Sequence, residues 1–156
     1  MKKHHKIILL LILTLVITAC KKQGNKADID AEFKASIPFK IARNYFVKNN
    51  VTASNLTLES KKEFNAVFGK AFASGADGSP TPIDFSKQYV VAIIKPETDL
   101  ASEITIKSIK KDNENIVFTY NYSTGKKQSF TTRPSTIVIL NKTEKRTIIF
   151  NELKNN

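Results

Sequence analysis

Hydrophobic positions along the chain fall into three regimes. From Ile7 to Ile17 they form an apolar run of 11 residues, interrupted only by Thr14. From Lys21 to Ser36 they thin out: KKQGNKADIDAEFKAS is polar with little periodicity and reads as a flexible tether. From Ile37 onward they recur with the periods of secondary structure. The stretch KIARNYFVKN fits either a helical turn or a strand, with Tyr45-Phe46-Val47 favouring the strand. Ser60-Lys61-Lys62-Glu63 has the form of a capping box, in which the Ser hydroxyl and the Glu carboxylate satisfy each other's exposed backbone N–H groups. Phe64, Val67 and Phe68 follow at three- and four-residue spacing, so an amphipathic helix of about ten residues is predicted, with Gly69 as its C-cap. Residues 73–82, ASGADGSPTP, are a predicted loop: Asp77-Gly78 suits a tight turn, and two prolines bar continuation.

The remainder reads as strands. QYVVAIIK (88–95) is apolar on both faces, the pattern of a central strand covered on both sides. EITIKSIKK (103–111) and NIVFTYNYS (115–123) are separated by Asp112-Asn113-Glu114, a hairpin signal. QSFTTR (128–133), STIVILN (135–141) and RTIIFNEL (146–153) follow, with predicted turns at Ser123–Lys127, Pro134 and Lys142–Lys145. The expectation is an α+β domain: a mainly antiparallel sheet of roughly five to seven strands, a meander in its C-terminal half, with one short amphipathic helix packed on it. In a meander alternate turns share one end of the sheet. Lys126 and Lys127 are therefore expected beside Lys142, Lys145 and Arg146, five cations forming a candidate binding rim. Lysines at hairpin tips also protect edges and confer solubility, which is the simpler reading.

The first twenty residues have the parts of a secretory signal. Lys2, Lys3 and Lys6, with His4 and His5, form a positive start; the apolar run is well short of the roughly 20 residues needed to span a bilayer. Thr18 and Ala19 supply small residues, and Cys20, the chain's one cysteine, follows. Ile17-Thr18-Ala19-Cys20 resembles the bacterial lipobox. The resemblance implies cleavage before Cys20 and lipidation of its thiol with three acyl chains. Two chains already give stable anchoring, each buried methylene contributing about 0.8 kcal/mol. The expected partition is a removed signal over 1–19, lipidated Cys20 and tether over 20–36, and one globular domain over 37–156. Lys21 follows the cysteine, so neither the Asp of the enteric inner-membrane retention signal nor the acidic run of the Bacteroidota surface-export signal is present. An outer-membrane anchor with the domain in the periplasm is the expected location.

Removing residues 1–19 leaves 137 residues, enough for one domain. Both histidines and three lysines go with them, taking the formal charge from +11 to +8. What remains has no His, no Trp and one Cys engaged by lipid, so no disulfide can form within the chain. Such a charge would favour nucleic acid in the cytosol. Export redirects it to anionic headgroups, acidic glycans or an acidic patch on another protein, and no nucleic-acid partner is expected. A solvated basic surface is the plainer account.

Composition excludes more chemistry than it offers. Without His, and with Cys20 lipidated, no Ser-His-Asp triad, Cys-His dyad or usual zinc site can be built. No glycine pattern fits a phosphate loop, one acidic residue at Asp77 is far short of a calcium loop, and no cofactor is expected. Glu97 and Asp99 in KPETD are the remaining catalytic candidates, and two carboxylates in a loop are commonplace. Tyr120 and Tyr122 share a strand face and fit either a sugar-stacking platform or core packing.

Two stretches, IPFKIARNYFVKN (37–49) and PTPIDFSKQYVVAIIKPETD (80–99), resemble a group of small Bacteroidota envelope lipoproteins without assigned activity. From Tyr89 to Phe150 the chain more distantly resembles the PrcB-like domain of protease-complex lipoproteins. Gln88–Lys95 matches its first strand, and Arg133-Pro134 before Thr136–Leu140 matches its last part. ETDLASE (97–103) departs from it, lacking the glycines of the pattern. The resemblance implies a protein-binding role, stabilising a partner such as an extracytoplasmic protease, and transfers no functional residues. A non-catalytic accessory lipoprotein is thus the expected function. A small-ligand or glycan-binding module is the alternative, and an enzyme using Glu97 or Asp99 the third.

Overall fold

The computed structural model of the chain describes residues 36–72, 74 and 78–154. The expected signal, Cys20, nearly all of the tether and the Asp77 turn lie outside the described residues. Among the described residues, nine strands and one α-helix follow in chain order: β1 Lys40–Ile41, β2 Tyr45–Val47, β3 Ser54–Leu58, α1 Lys61–Val67, β4 Phe68–Lys70, β5 Gln88–Ile94, β6 Thr98–Asp112, β7 Asn115–Thr132, β8 Ser135–Asn141 and β9 Thr147–Leu153. A one-turn 3-10 helix, Lys142–Glu144, joins β8 to β9.

The apolar pattern of β5 determines the layering. Tyr89 to Ile94 are all at most 2% exposed, which requires cover on both faces. β5 pairs antiparallel with β8 from Gln88↔Asn141 to Ile94↔Ser135, and with β3 on its other side. β1 completes a four-stranded sheet in the order β1-β8-β5-β3. On one face Tyr89, Val91, Ile93, Val138 and Leu140 pack with Ile109, Ile116, Phe118 and Tyr120 of a second sheet, β6-β7-β9. On the other, Val90, Ala92, Ile94, Ile137 and Ile139 pack with Leu58, Phe64 and Phe68. Each aliphatic side chain so buried contributes roughly 1.5–3 kcal/mol. Ile37 already belongs to the first cluster, its N–H bonded to the Ile109 carbonyl at 2.9 Å.

The α+β class, the mainly antiparallel pairing and the packed short helix are as expected. The meander is not. β6 and β7 form the expected hairpin, its turn placing Asn113 at φ 55, a left-handed conformation Asn tolerates. After Pro134, however, the chain leaves that sheet. β8 is apolar on both faces, so it belongs in the middle layer beside β5 rather than in the half-exposed outer sheet. β9, with alternating burial, crosses back and lies parallel to β7.

The predicted turn at Ser123–Lys127 and separate strand at 128–133 also give way to one strand. β7 runs unbroken to Thr132, and its surplus length is taken up by register shifts. Between Leu100↔Lys127 and Thr98↔Thr132, two steps on β6 oppose five on β7. The strand favoured at Tyr45-Phe46-Val47 forms as β2, and the strand count exceeds the expected range because β1, β3 and β4 are two to five residues long and carry little periodic signal.

The helix has its capping box: Ser60 Oγ accepts from the Glu63 N–H at 3.2 Å, and Glu63 Oε2 accepts from the N–H groups of Glu59 and Ser60 at 2.7 and 3.2 Å. It spans seven residues rather than about ten, and Gly69 is not its cap. Phe68 is already extended (φ −115, ψ 141) and opens β4, which pairs with β2. Gly69 faces Phe46, whose ring lies 2.2 Å from where a Cβ would stand. Pairing with β2 overrides the local stop signal.

Candidate binding cleft

Phe64 is the hub of the helix-bearing side. Its capped helix presents it inward at 3% exposure, against the rings of Tyr45 (5.0 Å, near-perpendicular), Phe68 (5.1 Å) and Phe85 (5.7 Å). Between this hub and the segment Pro80–Phe85 opens a cleft of about 290 Å³. Its walls are four aromatic rings (Tyr45, Phe64, Phe72, Phe85) with Pro80, Pro82 and Ile83.

Backbone bonds hold the proline wall in place. Arg43 N–H donates to Thr81 Oγ1 at 3.0 Å, Thr81 N–H donates to the Arg43 carbonyl at 3.1 Å, and Asn44 Nδ2 donates to the Ser79 carbonyl at 3.0 Å. The Tyr45 hydroxyl donates to the Thr81 carbonyl at 2.8 Å, and burial raises its pKa. At the foot of the wall, Asp84 closes a turn by accepting from the Ser86 N–H at 3.0 Å, and bonds from Ser86 hold its carboxyl below the usual range.

Lys61 and Lys70 also line the cleft, together with Asn65, and among the described residues no carboxylate does. None of the described carboxylates pairs with either lysine. Phe72 forms an exposed lip, 74% accessible. The arrangement can take up a small apolar group and neutralise a negative charge adjoining it.

The five rim cations do not assemble. Lys127 lies level with Leu100 and pairs with Asp99 at 3.0 Å, near the end of β5 and β8 marked by Ile94 and Ser135. Lys126 precedes it on β7. Lys142 donates its N–H to the Lys87 carbonyl at the opposite end of those strands. There Lys145 pairs with Glu59 at 2.7 Å and Arg146 with Glu114 at 3.4 Å. The expectation rested on the meander and falls with it: the five cations divide between opposite ends, and Lys127, Lys145 and Arg146 are each paired with a carboxylate.

The carboxylate candidates are likewise apart in role. Glu97 pairs with Arg133 at 3.0 Å, and Arg133 also donates to the Val51 carbonyl at 2.5 Å, tying the β5–β6 corner to the loop before β3. Asp99 is held by Lys127. Tyr120 is packed in the core at 2% exposure and donates to Glu152 at 2.8 Å, while Lys95 lies over the Tyr120 and Tyr122 rings at 5.2 and 5.0 Å. No open stacking platform forms.

Sequence reading missed the cleft. Its signal was PTPIDF, where Ile83 and Phe85 are apolar positions in a segment assigned to no strand or helix. Phe72, beyond the predicted helix end, was a second such position. No family model, no curated protein and no solved structure matches the chain.

Proposed function

We propose that the chain is a lipid-anchored envelope lipoprotein whose domain is a non-catalytic, protein-binding accessory module, and that the aromatic cleft receives its partner. The observation that carries this reading is the cleft itself: aromatic and proline walls on an aromatic hub, bordered by two lysines that pair with no carboxylate among the described residues. Anchoring follows from the lipobox resemblance at Cys20, and the PrcB-like resemblance favours an extracytoplasmic protease as the stabilised partner. The tyrosine platform that motivated glycan binding is spent on core packing and on Lys95.

Photocrosslinking in native membranes tests both parts. A photoreactive residue at position 72 should give a protein adduct, and one at position 126 should not. Cys20→Ser should release the chain from the membrane fraction. A chain still membrane-bound after that substitution removes the anchor. Adducts only to saccharide or small molecules at position 72, or none at all, replace the protein-binding reading with the ligand-binding one.

A further inference from the structure

Resting on that reading, we infer that the cleft recognises a peptide C-terminus whose last side chain is apolar, the ring or branched chain entering between Phe64, Phe72 and Phe85 and the terminal carboxylate meeting Lys61 and Lys70. Three observations define this occupant. The cleft, at about 290 Å³, sits at the lower bound of about 300 Å³ for small-molecule sites, so it has room for one or two residues rather than a whole folded element. The charged groups among its described lining residues are both cations, and charge complementarity calls for an anion. The cations share a cleft with the rings, so the anion must adjoin the apolar group.

A chain terminus meets that demand compactly, because carboxylate and side chain are bonded to the same carbon. An internal Asp or Glu would carry continuing backbone on both sides through the same small space. Two ammonium groups converging on one carboxylate make charge-assisted hydrogen bonds, about twice as strong as neutral ones. The apolar side chain supplies affinity through burial against rings whose positions are already fixed. Neither lysine needs to break an existing ion pair with a described residue to bind.

The test is fluorescence anisotropy on the full chain in detergent, with the N-labelled hexapeptide GSGSLF as free acid, the same peptide as its C-terminal amide, and GSGSLS as free acid. The GSGSLF acid should bind at least tenfold more tightly than either of the others. Lys61→Gln with Lys70→Gln should bring the acid-to-amide ratio close to one. Lys126→Gln with Lys127→Gln should leave it unchanged, and Phe72→Ala should weaken acid and amide alike. All of these positions are exposed, so the variants retain the fold. Equal binding of acid and amide, a ratio that survives the double lysine variant, or no binding of the GSGSLF acid at 1 mM overturns the proposal. If a protein adduct forms at position 72 while the acid shows no preference, only this inference fails. Without that adduct the underlying reading fails as well.

Discussion

Tyr89, the second residue of β5, is fully buried, and its hydroxyl meets no hydrogen-bond partner among the described residues. Burial, reinforced by the charges of Glu144 and Glu59, pushes its pKa up to about 12. An unsatisfied buried hydroxyl is a cost rather than a contribution, so Tyr89→Phe should leave thermal stability unchanged or raise it by up to about 1 kcal/mol. The sign with pH follows from the same shift. Between the unfolded tyrosine value near 10 and about 12, the unfolded chain has released this proton and the folded one has not, so stability falls as pH rises through that window. Tyr89→Phe should blunt that alkaline loss in chemical denaturation; an unaltered alkaline slope would refute the assignment. The capping box works in the opposite sense. Backbone bonds from Glu59 and Ser60 hold the Glu63 carboxyl below its usual value, so its contribution is present above the unfolded value and lost as pH falls through the folded one. Ser60→Ala should cost about 1 kcal/mol in urea denaturation and shift the mouth of the cleft, since Phe64 rides on that helix. These four residues were legible in the sequence because the box is a local contract between positions three apart. Gly69 was misread because its partner, Phe46, lies across a strand pair that no local pattern announces.

Between elements, the contact that locks the outer sheet to the middle one is Lys95–Glu152–Tyr120. Glu152 on β9 pairs with Lys95, just past the end of β5, at 2.5 Å and accepts from Tyr120 on β7. The hydrogen bond from Lys95 is the chief influence lowering the Glu152 carboxyl, against partial burial, with Tyr120 adding to it. Burial opposes the charged form of Lys95, yet Glu152 and Tyr120 together outweigh it and raise its pKa. Protonating Glu152 should loosen β9: its contribution is complete above the ordinary glutamate value and is lost as pH falls through its depressed one. Glu152→Gln should cost on the order of 1 kcal/mol at neutral pH and flatten the acid limb of stability against pH. An acid limb as steep as wild type would remove Glu152 from that role. At this scale β5, β8 and the β6–β7 hairpin could be read directly, because burial on both faces and turn residues are properties of short stretches. Which sheet β9 joins could not. Its alternation says only that one face is covered, and the choice of β7 depends on the 3-10 turn carrying the chain between layers. The length of β7 was hidden for a related reason: Ser123–Lys127 has turn composition, but β6 pairs with it at Glu103↔Ser123, Ser102↔Thr124 and Leu100↔Lys127.

At the scale of the whole domain, the net positive charge is distributed rather than focused. Lys127, Lys145, Arg146, Lys95, Lys111 and Arg133 each face a carboxylate, and Lys61 and Lys70 are among the described cations that face none. The pairing order has a kinetic consequence. β1 has no partner until β8 exists, β5 pairs first with β3 and gains its second neighbour only with β8, and β7 acquires its second neighbour only with β9, the last described strand. A chain appearing from its amino end therefore cannot close the four-stranded sheet until Asn141, or the three-stranded sheet until Leu153, has emerged. Such non-local pairing places refolding in the range of roughly milliseconds to seconds, slower than a helical domain of equal size. A chain ending at Arg146 lacks Ile148 and Phe150 against the Ile116–Phe118 core, and should collapse without fixed tertiary packing, retaining far-ultraviolet dichroism while losing the near-ultraviolet signal. A sharp near-ultraviolet spectrum from that truncation would contradict it. Under the export proposed above, a topology that withholds the outer sheet's third strand until Leu153 would be an advantage: the chain would stay threadable for most of its passage.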